Sequence, residues 1–372
     1  MGRPQERPRA RAAHRPPHLS PHPLRPKLFP MLTSPPPQSS RRQFLTTSVA
    51  AALATATLPH PVFSGEPIVA PAASSPPPIR NAFAYRFAIG EIEAWSISDA
   101  NLALKEGLGL MEPAADRPAM QADLMARGER TDVLPLYVNI LVAKLGHEIA
   151  IFDAGFGAGK NPESGWLKTS LAAIGIAPEK VTHAFLSHAH GDHINGFVTG
   201  NQPTFPNAAL HCLRDELDFW RSPEPDFSRS LRAKGPLPGM IKSNRAKFDI
   251  LQPNLQLHRD GDALLGGAVT FVPGRGHTAG HALFRLRSGK ESLLHFMDAA
   301  HHHTLMFTNP SWAINYDHEP AQAVDTRKKL FAELATTHER SYGFHLPWPG
   351  LGRVARADAG YTWQSERWSW GI

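Results

Sequence analysis

Ser187-His188-Ala189-His190-Gly191-Asp192-His193 brings three imidazoles and a carboxylate together directly after the apolar run Ala184-Phe185-Leu186. A strand that ends in this pattern leaves its ligands at the edge of a sheet. Positions two apart on extended chain share a face, so His188 and His190 can close on one cation. Gly191 then turns the chain, and Asp192 and His193 point towards a second. Imidazole suits zinc and other borderline metals, and carboxylate adds a harder oxygen donor. The plain alternative is a His-rich surface turn. What decides against it is whether further ligands stand at suitable places downstream.

They do. Gly276-His277-Thr278-Ala279-Gly280-His281 follows the strand-like run 269–272. Phe296-Met297-Asp298 closes a run that starts at Ser292, and Gly343-Phe344-His345 precedes Leu346-Pro347-Trp348-Pro349-Gly350. Each puts a candidate ligand at the end of an apolar run, just before loop-forming residues. His188, His190 and His277 make one set. Asp192, His193 and His345 make the other, and Asp298 remains to bridge them. That completes a site for two divalent metal ions, zinc first, with manganese, iron or cobalt as alternatives. Positions stay open for water.

On these motifs the chain resembles the metallo-β-lactamase-fold hydrolase superfamily over about residues 82–372. In that family the HxHxDH segment, the first His of GHTxGH, the bridging Asp and a late His bind two metals, usually zinc. The resemblance gives Asp153, in Ile149-Ala150-Ile151-Phe152-Asp153-Ala154-Gly155, a supporting role beside the motif. It marks Asn139 as a family position. It implies a four-layer αββα sandwich of the α/β (α+β) class, with the metals at one edge of the two sheets. Ile89-Gly90-Glu91-Ile92-Glu93 with Ser98-Asp99, Ser311-Trp312 through Asp317, and His345 through Gly352 look most like the methyl parathion hydrolase and quorum-quenching lactonase branch. Two positions depart from the pattern. The family usually has Gly before the bridging Asp, where this chain has Met297, which either crowds the site or packs below it. N-acyl homoserine lactonases carry Tyr three residues after that Asp, where this chain has His301. The second departure argues against transferring lactonase activity directly. It leaves metal binding untouched.

Two cations sharing a water would lower its pKa and supply hydroxide to a carbonyl or phosphoryl centre. Asp298 would then set the distance between them, and the resemblance gives Asp192 a proton-shuttling role. His301 is either a catalytic residue beside the bridging carboxylate, as oxyanion partner or proton donor, or a core histidine. His281 reads as structural, and His302 and His303 as packing or solvent-facing residues. Candidate pocket walls are Leu136, Tyr137, residues 156–166, Phe219, Trp220, Phe227 and Met240, which suit a hydrophobic small-molecule substrate: an ester, lactone or aryl phosphotriester. A β-lactam or thioester hydrolase of the same fold competes with this reading, as does a mononuclear iron dioxygenase. From another class comes a non-catalytic metal-binding or scaffold protein.

The net charge of +6 is unevenly placed. Residues 1–56 hold nine Lys or Arg and one acid, so residues 57–372 carry −2. The folded part is near neutral, and nucleic acid drops out as a partner. Cys212 is the single cysteine, which excludes an intrachain disulfide and reads as a buried core thiol. Ser40-Arg41-Arg42-Gln43-Phe44-Leu45 is a twin-arginine export signature, with a disordered basic tail as the alternative. The mildly apolar stretch 44–58 is short for a membrane span, and Ala54-Thr55-Ala56 offers a cleavage site. Residues 1–58 are thus a basic leader with its true start at Met31, 59–80 a Pro/Ala/Ser linker, and 81–372 the hydrolase domain. The expected partners are the twin-arginine export machinery and the small-molecule substrate. No stable membrane anchor is expected, a homodimer stays open, and the location is periplasmic or secreted.

Strands are predicted over 85–89, 91–97, 138–144, 148–153, 181–186, 255–258, 269–272, 282–286 and 292–297. Residues 101–130 read as irregular chain ending in a helix over 119–126. Helices are expected over 166–174 and 321–336, and another begins over 215–220 in a segment that runs to about 247.

Overall fold

The computed structural model describes Gly2 and residues 83–159, 161–357 and 359–367. The leader, its Arg41-Arg42 pair, the start at Met31 and the linker lie outside the described residues.

The first sheet has seven strands lying side by side in chain order: β1 (Ala84–Ile89), β2 (Ile92–Lys105), β3 (Val133–Leu145), β4 (Glu148–Phe152), β5 (His183–Leu186), β6 (Ala209–Leu213) and β7 (Leu255–His258). β1 to β4 pair antiparallel, and β4 to β7 pair parallel. The β1–β2 and β3–β4 hairpins turn through Gly90 (φ 57°) and Gly146 (φ 65°), left-handed positions that glycine occupies without strain. The second sheet repeats the plan with β8 (Ala263–Leu264), β9 (Val269–Pro273), β10 (Ala282–Ser288), β11 (Glu291–His295), β12 (Arg340–Tyr342), β13 (Leu351–Ala357) and β14 (Gly360–Ser365). Here only β11 and β12 run parallel.

The two sheets pack face to face. Phe152 of β4 lies 5.2 Å from Phe284 of β10, and Phe185 of β5 meets Phe284 at 5.6 Å and Phe271 of β9 at 6.0 Å. All four rings are buried, each removing apolar surface worth about 2–3 kcal/mol. The described α-helices are α1 (Arg117–Ala126), α2 (Leu167–Ala173), α3 (Gly191–Ile194), α4 (Arg214–Arg221), α5 (Leu237–Leu251), α6 (Leu305–Thr308) and α7 (Pro320–Thr337). α2 and α4 pack on the first sheet, and α7 packs on the second. In α7 the buried Ala323, Arg327, Leu330, Phe331 and Leu334 form one stripe at helical spacing, and Pro320 opens the helix where a missing N–H does no harm. This is the expected sandwich of two sheets with helices outside.

Several predicted boundaries are corrected. β2 runs on to Lys105 through chain read as irregular, because its second half pairs with residues 133–138 of β3. The helix expected to begin over 215–220 is α4, and the rest of that segment holds a second helix, α5, after the proline-bearing stretch 222–236. β11 stops at His295, short of Met297, whose left-handed φ of 46° no strand continues through. β12, β13 and β14 went unpredicted. Leu351–Ala357 is rich in Gly, Ala and Arg, and only its neighbours make it a strand. The carboxyl ends of β4, β5, β9, β11 and β12 open onto one edge of the sandwich, and all the predicted ligands follow those ends.

Candidate metal centre

His188 Nε2 lies 3.0 Å from His190 Nδ1, which lies 2.9 Å from His277 Nε2. Asp298 Oδ2 completes this group at 3.1 Å from His277 Nε2 and 3.7 Å from His188 Nε2. Asp192 Oδ2 sits 3.6 Å from His193 Nε2 and 3.5 Å from His345 Nε2. Asp298 reaches this second group too, Oδ1 at 3.2 Å from His193 Nε2 and Oδ2 at 3.2 Å from His345 Nε2. All seven predicted ligands therefore meet, divided as their spacing suggested.

The outward nitrogens show which atoms face in. His193 Nδ1 donates to Asp153 Oδ2 at 2.6 Å, His277 Nδ1 to Asp317 Oδ1 at 2.7 Å, and His345 Nδ1 to the Tyr137 carbonyl at 2.7 Å. Ser187 Oγ spends its one proton on Asp153 at 2.5 Å, so it accepts from His188 Nδ1 at 2.9 Å. Each of these rings turns a bare Nε2 lone pair inward. His190 is reversed: Nδ1 faces in, and Nε2 lies 3.2 Å from His318 Nε2. His193 Nε2 and Asp298 Oδ1 are buried with no hydrogen-bond partner. Lone pairs and carboxylate oxygens crowded at such distances repel unless a cation lies among them. The two sets, three nitrogens with one oxygen and two nitrogens with two oxygens, fit borderline divalent ions.

Electrostatics agree. Burial pushes His188 and His190 well below the usual imidazole range and keeps them neutral. Burial would do the same to His277, but Asp298 and Asp317 raise it to about 9. Burial would raise Asp298, yet the imidazoles of His193, His345, His277 and His188 hold its carboxyl well below the ordinary range. Protons thus compete for the His277 lone pair.

Other residues hold this edge in place. Asp153 also accepts the Ser187 N–H at 2.8 Å, the supporting role expected of it. Asn139 Nδ2 donates to the carbonyls of Leu346 (2.7 Å) and Gly343 (3.2 Å), flanking His345. His281 Nδ1 donates to the Gly274 carbonyl at 2.6 Å, leaving Nε2 to accept the Asp298 N–H at 3.3 Å, so it is structural as predicted. Met297 is fully buried and is not part of the cavity lining over the site. His302 Nδ1 accepts the N–H groups of Thr304 (3.2 Å) and Leu305 (3.3 Å) where α6 begins. Sequence reasoning missed Glu216. This buried carboxylate on α4 accepts from Ala189 N (2.9 Å), Trp220 Nε1 (2.7 Å), Thr278 Oγ1 (2.6 Å) and Gly280 N (3.0 Å), tying the two loops that carry His188, His190 and His277. It also missed Arg232, Tyr316 and His318, and gave Asp317 no role.

His301 Nε2 lies 3.1 Å from Asp298 Oδ2, and its ring stacks on His345 at 5.0 Å. Burial lowers its pKa to about 4, so the ring is neutral at pH 7. A cavity of about 230 Å³ opens over the site. Asp192, His301, Arg232 and Tyr316 line it, with Leu136, Phe156 and Met240 as apolar walls. Tyr137 contributes its carbonyl to His345 instead of a wall. Phe219, Trp220 and Phe227, proposed as walls, pack around the His318 ring at 5.1, 5.7 and 4.6 Å. They are core, and what they hold is a partner of His190.

Residues 133–310 match the family model described as the Metallo-beta-lactamase superfamily. No curated protein matches the chain. Among solved structures it is similar to AidC, a dizinc quorum-quenching lactonase in complex with a product N-hexanoyl-L-homoserine: 28% identity, TM-score 0.74, over 78% of this chain and 100% of that one. It is also similar to hydrolase AbOPH in the beta lactamase superfamily, with 24% identity and TM-score 0.71 over 78% and 99%. A probable metal-dependent hydrolase from Staphylococcus aureus gives 16% identity and TM-score 0.59 over 76% and 100%. The latter two likenesses speak for the fold alone.

Proposed function

Because this chain carries a metallo-beta-lactamase superfamily domain and is a metal-dependent hydrolase, we propose that it holds two zinc ions and cleaves a lactone, ester or phosphotriester. The observation that carries the two-ion reading is Asp298, which offers oxygens to both ligand sets. Such cations, when bound, polarise the substrate oxygen and lower the pKa of a water. Asp192, at the cavity floor, is placed to take up the proton released in hydrolysis and pass it to the leaving oxygen. His301 lines the same cavity, and the one N–H of its neutral ring donates from Nε2 to Asp298, which makes it an orienting partner of that carboxylate. Leu136, Phe156 and Met240 receive an apolar substituent and keep water from it. Lactones have the support of AidC, a lactonase that this chain spans in full, while His301, standing where N-acyl homoserine lactonases carry Tyr, keeps esters and phosphotriesters beside them.

Export is the second part of the reading. Ser40-Arg41-Arg42-Gln43-Phe44-Leu45 supports delivery by the twin-arginine machinery to the periplasm or beyond. That route carries folded proteins and suits an enzyme that takes up its metals beforehand. Replacing Arg41 and Arg42 with Lys should retain the protein in the cytoplasm.

Elemental analysis with a panel of chromogenic lactone, phosphotriester and cephalosporin substrates tests the activity. Two zinc ions per chain with lactone or phosphotriester turnover is the expected result. Turnover of the cephalosporin alone, one iron per chain, or no turnover with metal bound would each overturn it.

A further inference from the structure

We propose that Arg232 reads a second oxygen on the substrate, so that a lactone or ester carrying an exocyclic amide carbonyl is selected over a plain alkyl one. This rests on the hydrolase reading above.

Arg232 lies in the connection between α4 and α5 and reaches the cavity beside the ligands. Its guanidinium stacks over the Tyr316 ring, 4.8 Å from the centroid, which fixes its plane. Nη2 lies 3.2 Å from the Tyr316 carbonyl and 3.0 Å from His190 Nε2. Nη1 has only Met240 Sδ at 3.9 Å, and the buried Nε has no acceptor. Among the described residues no carboxylate lies within 4.0 Å of it. A group that can only donate, through five N–H bonds, thus has one good acceptor, the Tyr316 carbonyl.

The contact with His190 does not survive the chemistry of the site. For His190 to hold a cation through Nδ1, its ring proton must sit on Nε2. His318 Nε2, 3.2 Å away, accepts that proton. Nη2–H and Nε2–H then face each other at 3.0 Å, two donors with no acceptor between them. Held in its plane over Tyr316, the guanidinium presents its free N–H bonds to the cavity, whose walls Leu136, Phe156 and Met240 offer no oxygen and whose carboxylates Asp192 and Asp298 belong to the two ligand sets. The missing acceptor is supplied by the ligand. An amide carbonyl next to the scissile ester fits, as does the carboxylate released when a lactone opens.

The test compares wild type with Arg232→Met, which keeps the apolar stem, and Arg232→Lys, which keeps the charge. Two substrates are used: N-hexanoyl-homoserine lactone and γ-decalactone, which lacks the amide. Arg232→Met should raise KM for the amide lactone at least tenfold more than it raises KM for γ-decalactone, with Arg232→Lys in between. Equal losses on both lactones, or no loss on either, would overturn the proposal. Calorimetric binding of the open-chain N-hexanoyl-homoserine carboxylate to the zinc-loaded protein gives a readout free of turnover. Tenfold weaker binding to Arg232→Met supports the assignment even if wild type cleaves neither lactone, an outcome that sinks the lactonase reading instead. Equal binding, or none to wild type, counts against Arg232. Unchanged zinc content and melting temperature in the variants exclude a folding defect.

Discussion

Asp317 Oδ1 accepts a 2.7 Å hydrogen bond from Nδ1 of His277, forty positions earlier in the chain. That bond fixes the proton on the outer nitrogen and aims the lone pair at the metal set. Asp317→Ala should weaken zinc binding at the three-histidine set by about 10- to 100-fold. Chelator competition at pH 7 measures it, and an unchanged dissociation constant would refute the orienting role.

Asp192 is the one candidate ligand that is only partly buried, and it lines the cavity. Asp192→Asn should lower zinc from two ions per chain towards one and cut turnover by about 100-fold or more. Elemental analysis and steady-state rates on one preparation decide it. Full activity with both ions retained would remove Asp192 from the machinery.

Glu216 satisfies four donors with two oxygens. In Glu216→Gln the amide N–H₂ settles on the side of Thr278, whose hydroxyl can turn to accept, and meets the Gly280 N–H head on. The expected loss is about 2–4 kcal/mol of stability, read from urea unfolding of the metal-free protein. A loss under about 0.5 kcal/mol would show that surface-like adjustment absorbs the change.

Burial lowers the His295 ring from its ordinary 6.5 to about 3. The unfolded chain therefore binds a proton between those values that the folded protein refuses. The stabilisation is complete above pH 6.5 and falls as pH drops towards 3, by up to about 1.4 kcal/mol per pH unit. His295→Phe should flatten the acid limb of stability against pH by that slope, and parallel limbs for the two proteins would contradict it.

Met297 holds a left-handed φ of 46° with its side chain fully buried. Met297→Gly would relieve about 1 kcal/mol of backbone strain and delete packing worth about 2–5 kcal/mol. The variant should be less stable by about 1–4 kcal/mol. A rise in melting temperature would show that strain dominates.

The candidate ligands were legible because each lies in a short motif behind an apolar run, and coordination chemistry restricts the residue types. Asn139 and Asp153 were legible only through a resemblance. Glu216, Arg232 and His318 act through contacts between segments 27 to 128 residues apart, and nothing local in a helix or a loop announces them. The strands of the first half announced themselves by apolar alternation. Those after residue 340 did not, because their pairing comes from neighbours, not from their own composition.

His188, His190, Asp192 and His193 hang from the first sheet, while His277, Asp298 and His345 hang from the second. A cation seated among them is therefore a rivet through both layers of the sandwich. Its grip depends on supply: at a free concentration one hundred times the dissociation constant it adds about 2.7 kcal/mol of resistance to unfolding, and far less in a starved medium. The durability of this chain is set partly by the ion content of its surroundings.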